Sequence, residues 1–427
     1  MKIREYILSP RRKIFMYLRI KMKWMTSCLF SLLLIWVIPS SIRAEEKESF
    51  LPQLQAKSFV LMDATTGKVL ISKNADQSLP PASMTKMMSE LLVLDAIQSG
   101  KLKWTDKVKM SSRVESVDES QMYLLAGEEE TVRELFIGMA VRSANDATVA
   151  LAEKVAGSEE RFVAQMNQKA KKIGMKHTHF YATTGLEKSD YKYPPKTSGN
   201  HVMSAYDSAL LARYLIKEHP EVLKITSLPR YIFRKGTPRE LQSNSTNRML
   251  IGLRNYYQGV DGIKTGYTDQ AMFCFTGTAK RNGMRLITVV MGAPTADLSF
   301  QETAKLLDYG FTNYQIKTLI KGRKSLPNYP SVPVEDGVKE SVSVVTKKDI
   351  ILPIRKGEES KYTYQVSLPK KIEAPKKKGA VIGKIEVIYA GKKVGNKTDL
   401  VVAEEVEKLS WFKQLFRDIT AKFTAIF

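Results

Sequence analysis

Apolar and polar positions alternate through KSFVLMDATTGKVLISK (57–73) on either side of a Thr-Thr-Gly turn, which predicts a β-hairpin. After Pro80 and Pro81 the period changes. MTKMMSELLVLDAIQSG carries a helical apolar pattern that Gly100 stops. Helical periodicity also dominates 130–175, in TVRELFIGMAVR, ANDATVALAEKVAG and EERFVAQMNQKAKKIG. A loop-rich stretch with Pro194 and Pro195 leads to a helix near 204–218. Strand patterns return at 260–264, 271–279 and 285–292, and SFQETAKLLDYGF predicts a closing helix that ends near 312. Strands at both ends with helices between predict an α+β domain whose first and last strands share one sheet.

Beyond about 320 the pattern shortens. KSLPNYPSVPVEDG is rich in proline, and the alternating runs VSVVTK, DIILPI, YTYQVSL and GKIEVIYA are separated by Gly, Pro and Lys clusters, as in a small all-β domain. The last twenty residues, KLSWFKQLFRDITAKFTAIF, change again. At helical spacing Trp411, Phe412, Leu415, Phe416, Ile419, Phe423, Ile426 and Phe427 fall within an arc of about 160°. Lys413, Gln414, Arg417, Asp418, Thr420 and Thr424 take the opposite side, and Lys422 intrudes at the apolar edge. An aromatic-rich apolar face beside basic residues is the pattern of a helix lying in a membrane interface.

Composition sharpens this picture at the N-terminus. With 43% hydrophobic and 26% charged residues the chain has the make-up of a globular protein, which excludes wholesale disorder. Residues 1–24 are strongly basic and precede the apolar run CLFSLLLIWVI, a Pro-Ser-Ser-Ile-Arg-Ala stretch and an acidic start at Glu45. That order predicts a secretory signal peptide over 1–44, cleaved after Ala44 and followed by an exported chain. Four segments result: signal 1–44, an α+β domain 45–318, a small β-rich domain 319–405, and an amphipathic helix 406–427. The formal net charge of +23 remains strongly positive without 1–44, which suits an anionic membrane face or cell wall. Nucleic acid is not an expected partner of an exported chain. Cys28 leaves with the signal, so Cys274 stands alone and forms no internal disulfide; FCFTGTA places it on a core strand.

Candidate chemistry enters through PASMTKMM. Ser-x-x-Lys alone is cheap: it recurs at Ser189/Lys192, Ser367/Lys370 and Ser410/Lys413. Ser83 differs in standing where a loop becomes a helix. There the i, i+3 spacing puts Lys86 on the same face, and the helix N-terminus favours negative charge on the serine oxygen. A neutral lysine can take the serine proton if burial and a nearby cation lower its pKa. Sixty residues on lies Ser143-Ala-Asn145, and later Lys264-Thr265-Gly266 ends the apolar strand VDGIKTG. Ser-x-Asn also occurs at Ser198/Asn200 and Ser245/Asn247, whereas Lys-Thr-Gly occurs once. The three in this order are a known signature of the penicillin-recognising serine enzymes.

The resemblance extends to SFVLMDATTGKVL, AVRSANDATVALAE, MKHTHFYATTGL, DGIKTGYTDQAMFCFTGTAKRNGMRLITVVMGAP and ETAKLLDYGF, spanning about 55–315. The chain resembles the D-alanyl-D-alanine carboxypeptidases, the low-molecular-mass penicillin-binding proteins that trim the cell-wall peptide. The trailing β domain and terminal helix are similar to that family's layout and separate it from β-lactamases. The resemblance implies a β-lactamase/transpeptidase-like catalytic domain, an antiparallel sheet flanked by helices, on the outer face of the cytoplasmic membrane. It implies that Ser83 attacks the bond between the terminal D-alanines of a peptidoglycan stem peptide, with Lys86 as base and Ser143 and Asn145 bridging toward the leaving group. Lys264 and Thr265 would receive the terminal carboxylate, with Arg248 beside them. The N–H groups of Ser83 and of Tyr267, which follows Gly266, would form the oxyanion hole. β-Lactams would acylate the same serine. No cofactor or metal is expected: HExxH is absent, and His177, His179 and His201 are read as packing or surface residues.

Two other functions remain open from sequence, a β-lactamase and a catalytically silent wall-binding homologue. The second draws on departures from the family's usual pattern. Ser299 stands before Phe300 where relatives often have arginine, and Ala271-Met272 replaces a more usual Ala-Gly.

Overall fold

The computed structural model describes residues 52–413 and residue 415. The signal peptide expected at 1–44 lies outside the described residues, as does all of the terminal helix beyond Leu415.

An antiparallel five-stranded sheet organises the first region. Its strands are β1 (Ser58–Asp63), β2 (Val69–Lys73), β3 (Val260–Thr268), β4 (Met272–Arg281) and β5 (Met284–Ala293), in the order β2-β1-β5-β4-β3. The hairpin forms as its alternation predicts, with Leu61 opposite Ile71. Asp63 fixes its turn by accepting from the N–H and hydroxyl of Thr66 at 2.8 and 2.7 Å. The last strand, β5, then pairs along the whole of β1, joining the two ends of the region in one sheet.

Both faces of this sheet are covered, so β1 and β5 are buried almost throughout. Val60 and Met62 point into a core built mainly of helices, while Phe59 and Leu61 point into a second core closed by helix residues Phe300, Leu306 and Leu307. The longer helices are α1 (Lys86–Gln98), α2 (Val132–Ile137), α3 (Asn145–Ala156), α4 (Glu159–Ile173), α5 (Ala205–Glu218) and α6 (Ala296–Asn313). α1 is buried on nearly every side, from Lys86 to Leu94, as befits a helix at the centre of a domain. Side chains supply the N-caps of four others: Thr131 for α2, Ser158 for α4, Ser204 for α5 and Thr295 for α6.

β3 corrects one expectation. Lys264-Thr265-Gly266 does not end the strand but occupies its middle, since β3 continues to Thr268 with Lys264 opposite Thr276 and Gly266 opposite Cys274. The strand lies at the sheet edge with only β4 as neighbour, so its polar residues belong to an open side rather than to a turn. The helical stretch after α2 also differs from a plain helix: Gly138–Arg142 widens into a π turn that ends on Ser143 in the left-handed region, φ +64°.

The chain passes directly from α6 into β6 (Tyr314–Ile320), which contains residue 319, where the change of sequence character had suggested a boundary. β6 pairs with β9 (Ile350–Arg355). The remaining strands are β7 (Ser331–Glu335), β8 (Ser341–Thr346), β10 (Tyr362–Ser367), β11 (Ile372–Glu373), β12 (Val381–Tyr389) and β13 (Lys392–Val402). They form a six-stranded sheet in the order β10-β12-β13-β8-β7-β11 around a core of its own, led by Val342, Val344, Ile354, Ile385 and Leu400.

Candidate active site

Ser83 sits in a 3₁₀ turn, Ala82–Thr85, that runs straight into α1. The turn is tightly held. Ala82 adopts φ +46°, a costly conformation for a residue with a Cβ. Two glycines let neighbouring backbone close on it. A Cβ at Gly266 would lie 2.8 Å from Pro81 O and 3.1 Å from Met84 N, and one at Gly185 would overlap Ala82 O. The edge strand β3 and the segment around Gly185 therefore clamp the serine turn from two directions.

Lys86 follows one turn later and is entirely buried. Its Nζ lies 2.7 Å from Ser83 Oγ, 2.7 Å from Asn145 Oδ1 and 2.8 Å from the Thr184 carbonyl oxygen. Burial holds its pKa well below that of an ordinary lysine, and the charge of Lys264 pushes in the same direction. A neutral amine has two N–H groups and one lone pair. With the two carbonyls accepting the N–H bonds, the lone pair is left facing the Ser83 hydroxyl, which donates to it. That is the arrangement a general base requires.

A second lysine completes the group. Lys264, also buried, donates from Nζ to Ser143 Oγ at 2.8 Å and to Thr265 O at 3.0 Å. Burial lowers its pKa, and the carboxyl of Glu90 opposes that fall. The left-handed backbone at Ser143 turns its hydroxyl to this lysine, while the next turn begins α3 with Asn145. Asn145 is fixed from its other side, Nδ2 donating to Asp118 O at 2.9 Å and its N–H to Ser120 O at 2.6 Å. Thr265 Oγ1 donates to Thr246 Oγ1 at 2.8 Å.

These side chains line one end of a cleft of about 460 Å³. Tyr267 is half exposed at its mouth, with its hydroxyl donating to Asp269 at 2.8 Å and its ring against Phe273. Arg248 also reaches the cleft, held by Asp297 at 3.3 Å, and the same carboxylate takes Arg254 at 3.0 Å. Ser299 lies in the wall, buried, donating to Ala296 O at 2.7 Å. Met272 stands at φ +57°, a conformation glycine takes at lower cost. Every residue singled out from the sequence thus falls within one cleft or its immediate backing.

Cys274, buried on β4, also borders the cleft, but burial pushes its thiol up to about 12, which removes it as a nucleophile. His201 is held at a pKa of about 3 by burial; its Nδ1 accepts from Tyr181 N at 2.9 Å, so Nε2 carries the proton and donates to Thr85 Oγ1 at 2.7 Å. Among the described residues, no group of three His, Cys, Asp or Glu side chains is placed to hold a metal ion. Sequence reasoning missed Thr184, Gly185 and Glu90. Thr184 acts through a backbone carbonyl, which no side-chain motif reports.

Comparison with known proteins gives the same direction. The family model described as D-alanyl-D-alanine carboxypeptidase matches residues 44–295, and that of the penicillin-binding protein 5 C-terminal domain matches 314–408. D-alanyl-D-alanine carboxypeptidase DacF of Bacillus subtilis is 35% identical over 395 residues, covering 92% of this chain and 97% of that protein. DacC of Escherichia coli is 33% identical, covering 90% and 92%. Among solved structures, penicillin-binding protein 5 of Haemophilus influenzae aligns with a TM-score of 0.72 at 34% identity, over 84% of this chain and 99% of that one. Ampicillin-bound penicillin-binding protein D2 of Listeria monocytogenes aligns at 0.53 and 35% identity, over 61% of this chain and all of that one.

The clamp yields a test. Gly266→Ala displaces β3 from the serine turn, and a shift of about 1 Å at a reacting group costs about 10²-fold in rate. Ser83 should lose about that much reactivity toward acylating reagents, read by intact mass against time. Unchanged reactivity would contradict the clamp.

Proposed function

The chain belongs to the D-alanyl-D-alanine carboxypeptidase family and is a serine-type carboxypeptidase, and from that premise we propose that Ser83 is its nucleophile and Lys86 its base. The observation that carries the reading is the contact of Ser83 Oγ with a buried lysine nitrogen at 2.7 Å. Ser83 Oγ attacks the carbonyl carbon between the terminal D-alanines as its proton passes to Lys86 Nζ. The negative charge that develops on the carbonyl oxygen is received by the N–H groups of Ser83 and Tyr267; each such donor is worth about 10² to 10³ in rate. The C–N bond then breaks. The leaving amine of D-alanine takes a proton that Lys86 relays through Ser143, whose hydroxyl Lys264 holds in place. Water, deprotonated by the same lysine, attacks the ester, and the shortened peptide leaves.

The substrate's terminal carboxylate sets the direction of binding. Lys264, Thr265 and Arg248 form the cationic, hydroxyl-bearing end of the cleft and serve as its receptor. With Ser299 in place of a cation, Arg248 carries more of that task, and the Asp297 carboxylate keeps its guanidinium at the rim. A β-lactam presents a carboxylate and a strained amide in the same relation, so it acylates Ser83 too. A chain with an intact nucleophile, base and oxyanion site has no reason to be silent.

The expected partner surface is a membrane, met through the C-terminal helix. Among its described residues, Trp411, Phe412 and Leu415 present half or more of their surface to solvent. The apolar, aromatic-rich face and flanking basic residues of the sequence 408–427 support a helix lying in the interface. The basic charge of the chain favours an anionic leaflet.

Two measurements check this. Incubated with a diacylated Lys-D-Ala-D-Ala peptide, the chain should release free D-alanine, and Ser83→Ala should reduce release by at least about 10³-fold; equal release from both would remove Ser83 from the mechanism. In co-sedimentation with vesicles containing phosphatidylglycerol, the full chain should pellet and a chain ending at residue 407 should stay in solution. Equal pelleting of the two would place the membrane contact elsewhere.

A further inference from the structure

Glu90 has no part in the proposed reaction, yet it lies within the same buried group. It stands four residues beyond Lys86 on α1, on the same helix face. It is wholly buried, and neither of its carboxyl oxygens has a hydrogen-bond partner. A buried carboxyl without a partner destabilises the fold, and an apolar side chain of similar size would fill the space at lower cost. The turn before α1 and α1 itself pack against β3, the strand that brings Lys264. Lys264 acts on Glu90 most strongly and Lys86 next.

We propose that Glu90 is a positioning residue acting through charge: its carboxylate keeps the Lys264 ammonium protonated on the alkaline side, while Lys86 stays neutral beside it. This rests on the reading of Lys264 as the charged member of the site. Burial raises the Glu90 pKa above the usual carboxylate range, and the two lysines pull it back. The carboxyl is therefore neutral on the acid side and loses its proton as pH rises. The negative charge appears over the range in which burial would otherwise make Lys264 release its own proton. Lys264 consequently holds its proton to higher pH with Glu90 than without it.

Other charged groups around α1 are engaged elsewhere. Asp146 on α3 acts on Lys86, but its oxygens accept the N–H groups of Met122, Leu124 and Ala147. Arg142, after α2, donates to the Gln121 carbonyl. Lys169 on α4 pairs with Asp95 at 2.8 Å, and Asp207 on α5 takes the N–H of His177 and the hydroxyl of Thr178. Among these carboxyls, Glu90 is the one that acts on both lysines, favouring the charged form of each.

The test is the pH dependence of Ser83 acylation by a fluorescent penicillin, measured on the full chain, on Glu90→Gln and on Glu90→Met. Loss of the carboxyl should move the alkaline limb of the profile to lower pH by about one to three pH units, the range typical of an opposite charge nearby. The acid limb, set by Lys86, should move less. An alkaline limb unmoved in a folded variant would overturn the proposal. Glu90→Met should also raise the unfolding temperature; loss of fold would make Glu90 a structural residue and overturn the proposal as well. Absence of acylation in the unmodified chain would be a different failure, that of the Ser83 reading on which the inference stands.

Discussion

The site depends on keeping two lysine side chains out of water within one hydrogen-bonded group. Removing an ammonium from water is expensive, and a second cation beside it makes the first harder to keep charged. For Lys86 the result is a pKa held well below the ordinary lysine value, which favours the neutral amine that the proposed mechanism needs to take the proton of Ser83. Much of the domain can be read as the means of maintaining that dryness. α1 is buried on nearly every side and carries Lys86 through the centre of the core, and β3 brings Lys264 to the same place from the sheet edge. Gly185 and Gly266 let two strips of backbone approach closely enough to leave little room for solvent beside the serine turn.

The same dryness explains the division of labour around the reacting carbonyl. The two lysines meet the Ser143–Asn145 turn at different residues, with Asn145 held against Lys86 and Ser143 against Lys264. The hydroxyl and amine groups of the proposed proton path are therefore fixed in position before substrate arrives. Such preorganisation is what makes electrostatic catalysis effective. At the far end, the carboxylate receptor is less rigid. Arg248 is partly exposed and shares Asp297 with Arg254, and Ser299 offers only a hydroxyl already committed to Ala296 O. The end of the cleft with the proposed nucleophile is thus tightly built, while the end proposed to read the substrate's terminus includes a surface ion pair.

How much of this the sequence displayed varied by element. The hairpin, the central helix and the strands β4 and β5 announced themselves through period and apolar content, because both faces of the sheet are covered. β3 was cut short, since its polar residues resemble a turn when nothing indicates that the strand lies on an open edge. Ser83, Lys86, Ser143, Asn145 and Lys264 stood out as a set through order and spacing, and the fold brings all five together. Thr184 was invisible because its contribution is a carbonyl. Glu90 was hidden by its setting, one more polar residue in a helix whose complete burial only the fold reveals. The left-handed turn at Ser143 follows from the π turn before it, which leaves no simple periodic signal. The terminal helix was legible as an amphipathic pattern, and its first turn has its large apolar side chains exposed.

The mechanism proposed for Ser83 needs Lys86 as an uncharged amine at neutral pH. Lysine labelled with ¹³C at Cε reports amine protonation directly by NMR, and Lys86→Met identifies the signal by its disappearance. The account predicts that the Lys86 signal titrates well below the ordinary lysine value of 10.5, as burial and the neighbouring Lys264 dictate. A signal that stays in the ammonium position through neutral pH and titrates near 10.5 would contradict it. Lys86 would then be a fixed charge, and the proton of Ser83 would need another acceptor.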